Sequence, residues 1–242
     1  MSDFVPVSAN SPPSPPLPPS SAGIPKMPKG ERVYRWIEYT ALFFVVPTIF
    51  SFRTVDVPLA VLLYSAFVLC LAMLLRDESF DRDNLWRPRA VWRGRGVARV
   101  LGLCVVGAVV IGAIVKVFAP ERYLSFPVRN PWGWMAVMFL YPVLSVWPQQ
   151  VIYRSFIFHR YEALFPTRWG IIWASALAFC WGHVIFHNWI ALALTLAGGL
   201  IFASTYHRYR SGFLVSIEHA IYGCLVFSLG LGESLYYAAV RR

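Results

Sequence analysis

The chain is laid out as long apolar runs separated by stretches that hold most of its arginines. An apolar run of about 20 residues crosses the hydrocarbon core of a bilayer as a helix. Inside lipid every backbone polar group must be satisfied within the protein, which leaves few spanning structures besides helices. The runs extend over about residues 34–52, 57–75, 97–119, 132–147, 170–189, 190–206 and 213–231. The expectation is an all-α polytopic transmembrane helix bundle of about seven spans, within a range of six to eight. Of the 242 residues, 57% are hydrophobic and only 14% are charged. An ordinary soluble domain carries about 25% charged residues, so that class is excluded.

Residues 1–30 hold nine of the eighteen prolines, interleaved with Ser and Ala. Such a segment makes neither a helix nor a ladder and reads as a disordered or polyproline tail. No basic start leads into an apolar core, so no signal peptide is expected. The bundle is then residues 31–242, with a short interfacial piece at 234–240 and no second domain or repeat.

The net charge of +10 raises the question of nucleic acid. Lys and Arg cluster at the ends of the apolar runs, however, which is a topology signal and not a binding patch. The N-terminal segment, the 76–96 loop, the 154–168 stretch and the 207–210 loop are the basic side. The positive-inside rule puts that side, and the N-terminus, in the cytoplasm. The expected setting is an integral protein of a bacterial inner (plasma) membrane, with the lipid bilayer as a partner and no nucleic acid. Cys70, Cys104, Cys180 and Cys224 all fall inside apolar runs with no metal-type spacing, and read as buried free thiols. Trp132, Trp134, Trp147, Trp169 and Trp189 fall at run ends and read as an aromatic belt.

One stretch is out of character. The run that starts near Trp132 leads straight into Gln149, Gln150 and Arg154. Gln150 and Arg154 are four apart and share a helix face. An arginine at membrane depth costs about 2.5–3.5 kcal/mol on insertion scales unless it is paired or reaches water. Arg154 is therefore expected inside the bundle, orienting a site or pairing with a carboxylate such as Glu218; the alternative is snorkelling to the headgroups. Two later runs carry histidines, His183 and His187 in one and His219 in the other. Gln and Arg on one helix with His on two others describe a site at a helix junction.

Gln149-Gln150-x-x-x-Arg154, Phe179-x-x-x-His183 and His219-x-x-x-Gly223 resemble, in order and spacing, the motifs EExxxR, FxxxH and HxxxN of the CPBP family of intramembrane proteases, which includes CAAX proteases and bacteriocin-processing enzymes. The resemblance covers about residues 130–230. It implies a bundle of about eight helices and a glutamic-type endopeptidase. In that family a Glu, assisted by His, activates a water, while His and Asn stabilise the oxyanion. By that resemblance the site residues are Gln149, Gln150, Arg154, His183 and His219, with Phe179 and Gly223 completing the motifs. The substrate implied is a membrane-tethered peptide or protein, cut near its anchor.

The sequence departs from the pattern at three positions. Gln149 and Gln150 replace both glutamates, and Gly223 replaces the asparagine. A Gln amide orients a water but does not take its proton. Three replacement bases are open: Glu218, a histidine (His183 or His219), and Glu162, which is poorly placed at twelve residues past Gln150, about 18 Å along a straight helix. His187 and Asn188 are candidates for the work of the missing asparagine. A zinc site on His183, His187 and His219, completed by Glu218, is a further alternative; otherwise no cofactor is expected. Two rival functions remain: a pseudoprotease that binds a membrane peptide or partner without cutting, and a small transporter that uses the buried polar groups as a relay.

Overall fold

A computed structural model describes residues 27–52, 57–88 and 95–232. The N-terminal proline segment up to residue 26 and the 234–240 piece lie outside the described residues. Among the described residues the first helix begins at Lys29, with Pro28 at its N-cap.

That first helix, α1, runs as Lys29–Thr40, passes through a wide π turn at Ala41–Val45 and ends as Val46–Ser51. Helix α2 is Leu59–Arg76, and α3 is the short Asp83–Trp86 in the charged loop. Helix α4 is Arg95–Phe118, and α5 is the short Ser125–Arg129. Helix α6 extends over Pro131–Arg160, α7 is Arg168–Gly182, α8 is Trp189–Tyr209 and α9 is Gly212–Ser228.

The seven expected runs thus correspond to seven helices. Five of them, in α2, α4, α6, α7 and α8, are long and apolar enough to cross a membrane. Helix α9 has 17 residues and is apolar. Helix α1 is the most polar, with Glu31, Arg32, Arg35 and Glu38 in its first turns. The chain is an integral membrane protein built as an all-α bundle.

Helix α6 owes its shape to its prolines. Pro142 and Pro148 lie in its interior, and π turns at Pro142–Val146 and Val151–Phe156 flank the four residues Trp147–Gln150. A proline has no N–H to give to the carbonyl four residues back. For Pro148 that carbonyl is Leu144, and Tyr64 of α2 takes it instead, Oη to O at 2.9 Å. The wide turns rotate Gln150 and Arg154 relative to a regular helix, and π turns of this kind are frequent at functional sites.

The basic loops come together at one end of the bundle. Arg160 at the end of α6 donates from Nε and Nη2 to Glu38 of α1, both at 2.9 Å. Arg35 donates to the Arg160 carbonyl at 3.0 Å. His159 pairs with Asp77 at 2.8 Å, and Arg210 with Glu162. Ser211, which N-caps α9, donates to the Arg87 carbonyl at 3.1 Å. Asp77 also accepts from the hydroxyl and the backbone N–H of Ser79. These hydrogen bonds, Ser79 first and His159 next, hold its carboxyl at about 2, below the usual carboxylate range.

The opposite end is closed by His187, which donates to the Ser51 carbonyl at 2.8 Å, and by Trp134, which donates to Ser228 at 2.8 Å. Gly230 adopts φ +97° there, and a Cβ on it would fall 2.0 Å from the Arg122 carbonyl oxygen. Between the two ends the core is aromatic: Tyr39, Phe43, Phe156, Phe158, Tyr161, Phe179, Phe202 and Tyr206 are all buried. Helix α4 packs on α9 through Val100, Cys104 and Leu214, while its other face leaves Val105, Val109 and Val117 exposed. That face suits lipid. Of the belt tryptophans, Trp132, Trp169 and Trp189 are exposed, whereas Trp147 packs inward on Phe67 of α2, ring centroids 5.2 Å apart.

Candidate active site

Three helices bring the motif residues together, and Phe179 of α7 is their common neighbour. Its ring centroid is 4.7 Å from that of His183 and 5.5 Å from that of His219. The Arg154 guanidinium carbon lies 5.0 Å from the same ring. His219 of α9 is in turn stacked on Phe202 of α8 at 4.6 Å. The cluster lies within the apolar layer: His219 is seven residues into α9, about 10 Å along the axis from the basic end.

Arg154 is fully buried, with no exposed surface. Nη1 donates to Ser175 Oγ at 2.9 Å and to the Tyr153 carbonyl at 3.2 Å, and Nη2 to the Gly199 carbonyl at 3.4 Å. Ser175 Oγ in turn donates a hydrogen bond to the Tyr153 carbonyl at 2.7 Å. The approach of α7 to α8 makes this geometry possible. A Cβ on Gly199 would lie 3.1 Å from Ala176 Cα, so only a small residue lets the Gly199 carbonyl come this close. Carbonyls, a hydroxyl and aromatic faces thus solvate the guanidinium where water is scarce. It crosslinks α6, α7 and α8 from inside.

The tautomers follow from the hydrogen bonds. His183 caps α7, and its Nδ1 donates to the Phe179 carbonyl at 2.7 Å. A carbonyl only accepts, so Nδ1 carries the proton and the lone pair of a neutral ring lies on Nε2. His219 is bound at both nitrogens. Gln150 Nε2 lies 2.6 Å from Nδ1, and Tyr141 Oη lies 3.0 Å from Nε2. An NH₂ group only donates, so Nδ1 of His219 is the acceptor and its Nε2 carries the proton. Gln150 is buried, and its Oε1 has no partner among the described residues. Gln149 donates to Ser145 at 2.7 Å, and its Oε1 is likewise buried without a partner among the described residues. Two amide oxygens therefore await a donor, and a buried polar atom left unpaired is costly.

Of the remaining candidates, Glu218, His187 and Asn188 lie elsewhere, and only Gly223 adjoins the cluster. Glu218 is fully buried but turned away from His219. Among the described residues neither of its carboxylate oxygens has a hydrogen-bond partner, so the expected pairing with Arg154 is not made; it lies toward Thr205 of α8, whose hydroxyl accepts from Arg99 of α4 at 2.8 Å. Adjacent helical residues are about 100° apart, which carries Glu218 toward α8 and α4 while His219 faces α6. His187 does not share a helix face with His183. Helix α7 ends at Gly182, a 3₁₀ turn covers Val184–Phe186, and His187 stands in the left-handed region at φ 49°. Its ring points to Ser51 at the far end of α1. Asn188 caps α8, accepting from Ile190 N at 2.9 Å and Ala191 N at 3.3 Å. Gly223 lies one turn beyond His219 on the same face. Among the described residues no three His, Cys, Asp or Glu side chains converge to hold a metal ion.

Sequence reasoning missed Tyr141, Ser175, Tyr153 and Thr205. Ser175 carried a legible signal, since 175, 179 and 183 are spaced to share one face of α7. Tyr141 carried none: its approach to His219 depends on the π turns of α6.

Residues 131–225 match the family model of the type II CAAX prenyl endopeptidases, Rce1-like. No curated protein and no solved structure matches the chain. The matched segment begins at the start of α6, holds all three motifs and ends within α9. Over residues 131–225, which span α6 to α9 and hold every motif residue, the chain is similar to the Rce1-like type II CAAX prenyl endopeptidases.

Proposed function

We propose that the protein is an intramembrane endopeptidase that hydrolyses a peptide bond in a membrane-tethered peptide or protein, with His183 as the base. The observation that supports this most is the hydrogen bond from Nδ1 of His183 to the Phe179 carbonyl, which sets the lone pair of the neutral ring on Nε2. A water beside it gives a proton to Nε2 and attacks the scissile carbonyl carbon. The carbonyl oxygen becomes an oxyanion, and the C–N bond breaks as His183 returns the proton to the leaving amine. Gln149 and Gln150 serve as acceptors that orient the water through their unpaired oxygens. His219 is a hydrogen-bond donor, because Gln150 occupies its lone pair. Arg154 holds α6, α7 and α8 in register and takes no proton. The basic end faces the cytoplasm of a bacterial cell, and the substrate enters from the inner membrane.

The test is proteolysis in liposomes with a panel of lipidated peptides, read by mass spectrometry. Cleavage that His183→Ala abolishes supports the assignment; cleavage that survives it sinks the mechanism. A second reading rests on the same amides. Two glutamines where the family has glutamates leave a cluster able to bind a peptide without cutting it. Saturable peptide binding with no product under any condition favours that reading.

A further inference from the structure

Position 223 has no side chain, and its space is filled from another helix. A Cβ on Gly223 would lie 2.3 Å from Tyr141 Cε1, 2.5 Å from its hydroxyl and 2.6 Å from its Cζ. The hydroxyl is also 3.0 Å from Nε2 of His219, with the two rings edge to face at 6.0 Å. Phe227 supports the phenol from one turn further along α9, at 5.3 Å. His219, Gly223 and Phe227 are successive fourth residues on one face of α9, and the phenol lies along that face. Any larger residue at 223 and Tyr141 in its present place exclude each other.

We propose that Tyr141 is the oxyanion donor of this site, supplying from α6 the polar group that position 223 does not provide from α9. The inference rests on the protease reading above. The hydrogen bonds run in one direction: Gln150 Nε2–H to Nδ1 of His219, then Nε2–H to Tyr141 Oη. A phenol that accepts one hydrogen bond still has its own proton to give. Donors in such a chain polarise one another, so the terminal O–H is a better donor than an isolated phenol. The acceptor is the carbonyl oxygen of the scissile peptide as it takes on negative charge. Loss of a single donor of this type costs about 10²–10³ in turnover.

The test compares two probes on the full chain in lipid: a membrane-tethered peptide, and the same peptide with a phosphinate in place of the scissile amide. The phosphinate carries the tetrahedral oxyanion whether or not the protein turns over. Tyr141→Phe is expected to weaken phosphinate binding about 10²-fold and to leave peptide binding unchanged. Where cleavage is measurable, kcat falls and KM does not. Gly223→Asn is expected to act like Tyr141→Phe, by pushing the phenol off His219. The double variant Tyr141→Ala with Gly223→Asn is expected to recover phosphinate preference, which a purely structural tyrosine would not do. If Gly223→Asn fails to fold, Tyr141→Phe carries the test alone. A parent protein that does not prefer the phosphinate overturns the protease reading. A parent that prefers it, with Tyr141→Phe unchanged, overturns the role of Tyr141 only.

Discussion

The amide nitrogen of Gln150 lies 2.6 Å from Nδ1 of His219 and donates to it. A carboxylate at the same place would only accept. The difference of one atom reverses the proton order of the imidazole. With Gln, Nδ1 is a lone pair and Nε2 carries the proton toward Tyr141. With Glu, Nδ1 must carry a proton.

Gln150→Glu is therefore expected to protonate Nδ1 of His219. Imidazole ¹⁵N spectra of the detergent-solubilised protein read this directly, with His219→Gln to assign the signal. An identical proton pattern in the two proteins would mean that Gln150 does not donate to Nδ1. The same substitution turns Nε2 of His219 into an acceptor for the Tyr141 hydroxyl, so the phosphinate preference carried by Tyr141 is expected to fall by about 10²-fold.

His183→Gln removes the base and keeps a polar group of similar reach. Cleavage is expected to fall by about 10²–10⁴-fold, the usual worth of a positioned general base. His187→Gln is the control. Its ring donates to Ser51 at the far end of α1, so the variant should lose some thermal stability and keep its rate per folded molecule.

Ser175→Ala takes away the 2.9 Å partner of the buried Arg154 and the proton that satisfies the Tyr153 carbonyl. The expected loss is about 1–3 kcal/mol of stability, seen as a lower midpoint of thermal unfolding in detergent. Ser175→Thr keeps the hydroxyl and is expected to lose less. Equal losses in the two variants would mean that packing, not the hydroxyl, is what matters at 175.

Asp77 gives the basic end an acid sensitivity. Its carboxyl is held at about 2 by Ser79 and His159, down from an ordinary value near 3.8. A depressed carboxylate stabilises the fold fully above the unfolded value and loses that contribution as pH falls through the folded one. Unfolding midpoints are expected to decline between pH 4 and pH 2 by a small amount, under about 1 kcal/mol because the pair is partly exposed. Asp77→Asn removes that part of the decline. A variant with an unchanged acid profile would place the acid sensitivity elsewhere.

Much of this protein is legible in the order of its residues. Apolar runs too long for a soluble core, bounded by arginine, require membrane helices, because lipid leaves the backbone no other partner. The burial of Arg154 follows from the cost of its charge at that depth. Phe179 and His183 share a helix face by spacing alone, and with Gln150, Arg154 and His219 they meet in one cluster. Other relationships were decided only by tertiary structure. His187 keeps the helical spacing from His183 and still faces away, because the chain leaves the helix at Gly182 and turns through a left-handed residue. Glu218 and His219 are adjacent in sequence and face different helices. Tyr141 reaches His219 because prolines open two wide turns in α6 and Gly223 leaves the space. Spacing within one helix is a local property and can be read from the chain. Which side chain fills a gap on a neighbouring helix depends on how two surfaces meet, and no local pattern encodes that.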